Sequence, residues 1–277
     1  MNINSTAYNP PVDQLLTLGE ARLVNQNEWL DYLALGIGAE DIPELIRMTI
    51  DEELNNAWSD SLEVWATLHA LRALGQLRAE AAIAPLVAYF EGHEDDEWMM
   101  EDIPRALGKI GPAAIPAISS FIADDSHGLY ARAFASNTLI EISKEHPEAR
   151  DECIAVLVKQ LELYEQNDEE WNATIISDLT DMKAIEELPL IERAFAADRV
   201  DGFLISLDDV LIEMGLKERE PEPPALTLSE LEKIFPTPPT RKYKPSDFQI
   251  VTPTTIPVAQ GKPIKFSRKK PRKKRRK

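Results

Sequence analysis

Ala106-Leu107-Gly108-Lys109-Ile110, followed by Gly111-Pro112-Ala113-Ala114-Ile115-Pro116-Ala117-Ile118, is the stretch that decides how this chain is read. Ile115, Ile118 and Ile122 keep the spacing of one helical face. Pro116 stands where a second helix begins; there the missing N–H goes unused and the fixed φ fits the first turn. Gly108 reads as the end of a first helix, where a left-handed residue is cheap only for glycine. The stretch predicts a helix, a turn and a second helix.

Outward from it, the pattern recurs. Ala73-Leu74-Gly75-Gln76-Leu77 precedes Ile83, Pro85 and Leu86, and the two glycines lie 33 residues apart, the length of one helical pair. Second-helix sets begin at Ile42, Ile83, Ile115, Ile154 and Leu188, in steps of 41, 32, 39 and 34. The irregular steps place length changes in loops. Pro43, Pro85, Pro116 and Pro189 each sit at the start of a second helix. A pair of this size cannot bury its apolar face alone; stacked neighbours share a core and the ends need caps. Val12 to Leu23 would cap one end, and Leu204, Leu207, Leu211 and Met214 would form the closing helix. The expected fold is all-α: a HEAT/armadillo-like right-handed α-solenoid of about five helical pairs over residues 10–218. Strands are not expected, because alternating apolar and polar runs are scarce.

Two sets of residues resemble known families. Asp124-Asp125, Tyr130-Ala131-Arg132-Ala133 and Leu139-Ile140-Glu141-Ile142, with the turn Gly111-Pro112-Ala113-Ala114-Ile115-Pro116, resemble the HEAT-like repeat of the phycobilisome-lyase type. In that pattern an Asp precedes the first helix and an Arg opens it; the likeness covers roughly residues 34–200. Asp41-Ile42-Pro43-Glu44-Leu45-Ile46, Leu71-Arg72-Ala73-Leu74-Gly75-Gln76-Leu77 and His146-Pro147-Glu148-Ala149-Arg150-Asp151-Glu152-Cys153 resemble an uncharacterised bacterial HEAT-like family. Some of its members end in the cysteine-rich zinc motif also found in the secretion ATPase SecA. Cys153 is the sole cysteine here, so that motif is absent, and a basic tail stands in its place. The resemblance implies a fold; such repeats serve many tasks.

Charge divides the chain. Residues 1–240 hold 47 acids against 16 bases, about −31, while residues 241–277 hold 14 bases against Asp247, +13, and together they give −18. Of 20 prolines, 11 lie between Pro221 and Pro271, so a different regime follows the helical body. Residues 219–261 read as a Pro-rich linker with a short amphipathic helix near 227–235, carried by Leu226, Leu228, Leu231, Ile234 and Phe235 with Thr227 and Glu230 in capping-box spacing. Residues 262–277 read as a disordered basic tail. An acidic body with a basic arm repels polyanions over one part and attracts them over the other.

A lone cysteine allows no intrachain disulfide and no thiolate metal site, which fits a reducing compartment. The first residues show neither a basic start nor an apolar run, and no stretch reaches the roughly 18 apolar residues of a membrane helix. The expected location is cytoplasmic, or nuclear in a eukaryote, without membrane insertion.

Candidate binding residues fall in two groups. Trp65, Trp98 and Tyr130 share a repeat phase, and Arg72 and Arg105 follow the tryptophans by one heptad. One reading is an aromatic and cationic stripe for a protein partner, with Trp171 as a further member. The other is packing between repeats, each Arg meeting a neighbouring acid. The second group is Arg268, Lys269, Lys270, Arg272, Lys273, Lys274, Arg275, Arg276 and Lys277, nine bases in ten residues. Such a run binds phosphate by charge, as RNA, DNA or ribosome, or else folds back on the acidic body. His93-Glu94-Asp95-Asp96-Glu97 lacks the spacing of a hard-cation loop and reads as a solvated acidic loop; His69 and His127 read as surface or packing residues. No catalytic set, metal site or cofactor is implied.

The function expected is a non-enzymatic scaffold or adaptor. Its acidic solenoid binds a protein and its basic tail contacts RNA, the ribosome or another polyanion. Two alternatives stay open: a bilin lyase or lyase chaperone, implied by the phycobilisome-lyase resemblance, and a purely structural assembly factor with a silent tail.

Overall fold

A computed structural model describes residues 8–21 and 28–219. These lie in a compact unit spanning Met1–Glu220. Residues 220–277, which hold the expected linker, the short helix expected near 227–235 and the basic tail, lie outside the described residues.

The unit is all-α, with no strand among the described residues. In chain order the helices are α1 Ile42–Thr49, α2 Glu52–Asn55, α3 Ala66–Gln76, α4 Ile83–Tyr89, α5 Glu97–Ile110 and α6 Ile115–Ala123. They continue with α7 Leu129–Glu145, α8 Arg150–Leu161, α9 Glu169–Asp181, α10 Leu188–Ala196 and α11 Leu207–Glu213. Helices pack on the neighbour two along. α3, α5, α7, α9 and α11 form one row, and α4, α6, α8 and α10 a second, with α1 leading the second row against the turn that opens α4.

The start of each second-row helix follows from local chemistry. A 3-10 turn precedes each one: Ala39–Asp41, Glu80–Ala82, Pro112–Ala114, Pro147–Ala149 and Ile185–Glu187. The turn satisfies backbone groups that the next helix cannot reach. Pro43, Pro116 and Pro189 then occupy the first turn of their helices. The apolar sets face inward: Ile115, Ile118 and Ile122 are buried, as are Ile154, Leu157 and Leu161. Ile50 is an exception; it caps α1 and stays exposed.

The glycines correct the sequence reading. Gly75 and Gly108 do not end their helices in left-handed geometry. The left-handed positions come three residues later, at Arg78 (φ 49°) and Gly111 (φ 99°). Ala79 N–H donates to the Leu74 carbonyl at 3.1 Å and closes the first of these turns. Gly75 and Gly108 instead lie where row-one helices touch. A Cβ on Gly75 would stand 3.1 Å from Ala106 Cα, and one on Gly108 would stand 2.7 Å from Glu141 Cβ and 3.0 Å from its carbonyl carbon. Close approach of backbones, not turn geometry, requires glycine there.

The ends are capped much as expected. Val12–Thr17 is a 3-10 helix with Val12 and Leu15 buried, packed on α3. At the far end α11 buries Val210, and Met214 just beyond it, rather than Leu204, which is 58% exposed. No single helix among the described residues is long and apolar enough to cross a membrane.

Gly108→Leu is expected to destabilise the protein by about 1–3 kcal/mol, since the α5–α7 contact cannot open without moving backbone. Gly202→Ala, where an added Cβ meets nothing within 4 Å, is expected to stay within about 0.5 kcal/mol of the parent. Urea midpoints of the two variants check the contrast.

Candidate functional site

The residues that carry chemistry divide between a buried network and an open edge. The network rests on α3. His69, Arg72 and Gln76 share one face of that helix by spacing, and all three reach the N-terminal segment. Arg72 Nη1 donates to the Ala21 carbonyl at 2.7 Å, and Gln76 Nε2 to the Leu30 carbonyl at 2.8 Å. Gln76 Oε1 accepts from Tyr32 N–H at 3.0 Å. His69 Nε2 lies 2.8 Å from the Gly19 carbonyl and Nδ1 2.7 Å from the Tyr32 hydroxyl. A carbonyl only accepts, so Nε2 carries the proton and Nδ1 accepts from Tyr32.

Asp102 of α5 completes the network. Its Oδ2 lies 2.6 Å from Arg72 Nε and its Oδ1 3.1 Å from Arg105 Nη1. Arg72 and Asp102 are 4% and 3% exposed. Arg105 and Lys109 also stand over the Trp29 ring, at 5.3 and 5.5 Å. Arg72 therefore offers no open surface, and Arg105 turns to Asp102 and Trp29. Trp171 is likewise interior, 1% exposed with Arg132 4.3 Å above its ring, and does not extend a surface stripe.

The aromatic half of the motif is different. Trp65 and Trp98 meet edge to face at 5.3 Å. Trp98 is 59% exposed, and Tyr130, at the start of α7, is 70% exposed. They lie where row-one helices begin, beside the loops that return from the second row. These return loops touch one another. Asn55 Nδ2 donates to Tyr89 Oη and Asp96 Oδ2, and His127 Nδ1 sits 3.0 Å from Glu91 Oε2. Sequence reasoning missed Trp58, the most open tryptophan at 85%, and Leu62, both on the first of these loops. Their lack of helical periodicity was the available signal.

Two cavities open on this edge. One of about 210 Å³ is lined by Val64, Trp65, Leu68, Trp98 and Met99, with Asn55 and Asp96 on its wall. The other, about 280 Å³, shares Asn55 and Asp96 and adds Asp51, Glu52 and Asp95. Asp96 also caps α5 through Met99 N–H. His93 stacks on Tyr89 and His127 on Phe121, so both rings pack. No group of three or more His, Cys, Asp or Glu that could hold a metal ion occurs among the described residues. Cys153 is buried, and burial pushes its thiol up to about 12, far from a thiolate nucleophile at neutral pH.

An all-α protein of two packed helical rows, closed by a buried polar network and open along an aromatic edge, is the class these features define. A family model described as "Protein of unknown function (DUF1186)" matches residues 35–222, and the chain belongs to that family. The chain matches no curated protein and no solved structure.

Removing one partner of a buried charge pair strands the other. Asp102→Ala is expected to lower stability by about 3–5 kcal/mol. Arg105→Ala, at a half-buried cation, is expected to cost about 1 kcal/mol, within the ordinary range for a partly exposed pair. Denaturant titrations rank the two.

Two buried groups titrate with opposite sign. Burial depresses His69, and the Arg72 charge adds to this. The unfolded chain therefore binds that proton more tightly, and His69 withdraws stability as pH falls through about 6.5. Burial pushes Asp178 up to about 7, and Asp181 adds to this. Asp178 stays protonated in the fold while the unfolded chain ionises near 4, so it withdraws stability as pH rises from about 4 to 7. Asp178→Asn is expected to leave a protein that weakens from pH 7 to 5; His69→Gln is expected to leave one that strengthens over the same range. Urea midpoints at both pH values check the signs.

Proposed function

We propose that this chain is a HEAT/armadillo-like right-handed α-solenoid acting as an adaptor. Its helical body binds a protein partner along the aromatic edge, and its basic tail contacts RNA or another polyanion. Row-on-row packing supports the solenoid part, since such stacks join each unit only to its neighbours and leave long surfaces free for partners.

One observation carries the binding part. Arg72 is buried and Arg105 is held against Asp102, but Trp98 stays more than half exposed against the half-buried Trp65, and Tyr130 at the start of α7 is more than half exposed too. Large open aromatics in one neighbourhood mark interaction surfaces, and tryptophan and tyrosine are enriched where binding energy concentrates. The tail part rests on sequence. Nine bases between Arg268 and Lys277 suit salt-dependent phosphate binding, and a tethered arm raises local concentration without folded contacts.

Affinity capture from the native cell, with and without nuclease, tests both parts. A nuclease-resistant protein partner is expected with the parent chain and is expected to be lost from Trp98→Ala/Tyr130→Ala. Deleting residues 262–277 is expected to abolish salt-sensitive RNA binding and leave the helical circular-dichroism signal unchanged. Retention of the partner by the double variant overturns the edge; equal RNA binding after truncation overturns the tail.

A further inference from the structure

We infer that the aromatic edge recognises a cationic peptide segment that carries one apolar anchor side chain. The inference rests on the adaptor reading and names the chemistry of its partner.

Charge is the first ground. The first three return loops and their flanks, residues 50–65, 89–98 and 121–131, hold twelve Asp and Glu and no Lys or Arg; Arg132, the next residue, turns its guanidinium onto the Ile122 carbonyl and faces Asp124 and Asp125. Capping explains only some of them. Asp51 caps α2, Asp96 caps α5, and Asp124 accepts from Ser126. Glu52, Glu53, Asp60, Asp95, Glu97 and Asp125 are exposed.

The opposite edge, where row one turns into row two, is built otherwise. There acids meet bases across adjacent turns: Lys109 Nζ lies 2.8 Å from Glu145, and Arg150 Nη1 lies 3.0 Å from Glu186. On that edge cations stand among the acids and pair with some of them. On the other, the first two return loops concentrate a single sign beside open apolar surface, which raises the local concentration of cations and repels anionic partners such as nucleic acid.

Shape is the second ground. The apolar cavity between Trp65 and Trp98 and the acidic cavity beside it share the wall of Asn55 and Asp96. Neighbouring side chains of one peptide can occupy both. An aromatic or aliphatic side chain fills the 210 Å³ cavity against Trp65, Leu68 and Met99. A Lys or Arg then enters the 280 Å³ cavity over Asp51, Glu52 and Asp95. Trp58 and Leu62, 85% and 56% exposed, extend the apolar contact beyond the first cavity. Each half alone gives weak selection; together they discriminate against purely basic and purely apolar segments.

The full chain and a fluorescein-labelled peptide, Lys-Arg-Phe-Lys-Arg-Lys, test this by fluorescence anisotropy near physiological salt. The peptide is expected to bind, and replacing its Phe by Ser is expected to weaken binding by about tenfold or more. Trp98→Ala should weaken the parent peptide by a similar factor with an unchanged circular-dichroism spectrum. Glu52→Gln/Asp95→Asn, at exposed positions, should weaken it about threefold to tenfold and flatten its salt dependence. Equal binding of the Phe and Ser peptides, or no effect of Trp98→Ala, overturns the inference. A captured partner that needs the edge, without binding of this peptide, sinks the cationic occupant and leaves the adaptor reading standing. Peptide binding without any captured partner does the reverse.

Discussion

Asp102 and Arg72 form the contact on which the rest of this body depends. Two opposite charges sit inside the protein with oxygen and nitrogen 2.6 Å apart. Taking them out of water is costly, and their attraction offsets that cost only when remaining donors and acceptors are also met. Here they are. Arg72 spends a further N–H on the Ala21 carbonyl, and Asp102 spends its second oxygen on Arg105. The pair thereby joins three things at once: α3, α5 and an N-terminal segment that belongs to neither row. Hydrophobic burial would hold α3 against α5 in many registers. A charge pair with directional bonds selects one.

The N-terminal segment illustrates how the row end is closed. A stacked helix at the end of an array has one face without a neighbour. In this chain irregular backbone covers part of that face, and its carbonyls and amide would be orphaned there. His69, Arg72 and Gln76 answer them from successive turns of one face of α3. Tyr8 adds a second tether at 2.6 Å to Asp51, under Arg47, whose guanidinium sits 3.9 Å over its ring. Side chains that would otherwise mark a polar surface become the seal of the core.

Much of this was legible in the sequence, and the rest was hidden for physical reasons. Ile42, Ile83, Ile115 and Leu188 each begin a helix in the structure, as their apolar sets predicted. Periodicity reports which face is buried, so it performs well there. It does not report what a buried polar group pairs with. The carbonyls of Gly19, Ala21 and Leu30 are identical in any sequence, so the network around α3 had no signature beyond the spacing of its side chains. Gly75 and Gly108 looked like helix ends because glycine is permissive. Their service is to let backbones approach, and the turn falls three residues later at Arg78 and Gly111. The aromatic–arginine motif was read as one stripe because a heptad returns to nearly the same helical face. A heptad also advances about 10 Å along the axis. That distance carries Trp65 and Trp98 to the edge, Arg72 to the interior and Arg105 to a half-buried place against Asp102.

The acidity of the edge has a structural root that recognition can exploit. Helix N-termini carry partial positive charge and unsatisfied N–H groups, so acids gather there; Asp51, Asp96 and Asp168 each accept from the first turn of the helix they precede. Of the row-one helices α5 and α9 follow such an Asp, whereas α3, α7 and α11 follow Trp65, Gly128 and Ser206, so capping accounts for only part of the acidic border. In the first three return loops capping uses Asp51 and Asp96, and the loops hold further acids. Some of the excess bonds inside the protein, Glu91 to His127 and Asp124 to Ser126; the exposed remainder raises mutual repulsion. It stands beside Trp58, Trp65 and Trp98, where an apolar partner side chain would exclude water and strengthen each charge contact around it. Helix starts thus account for part of this acidic border, and open aromatics stand beside it.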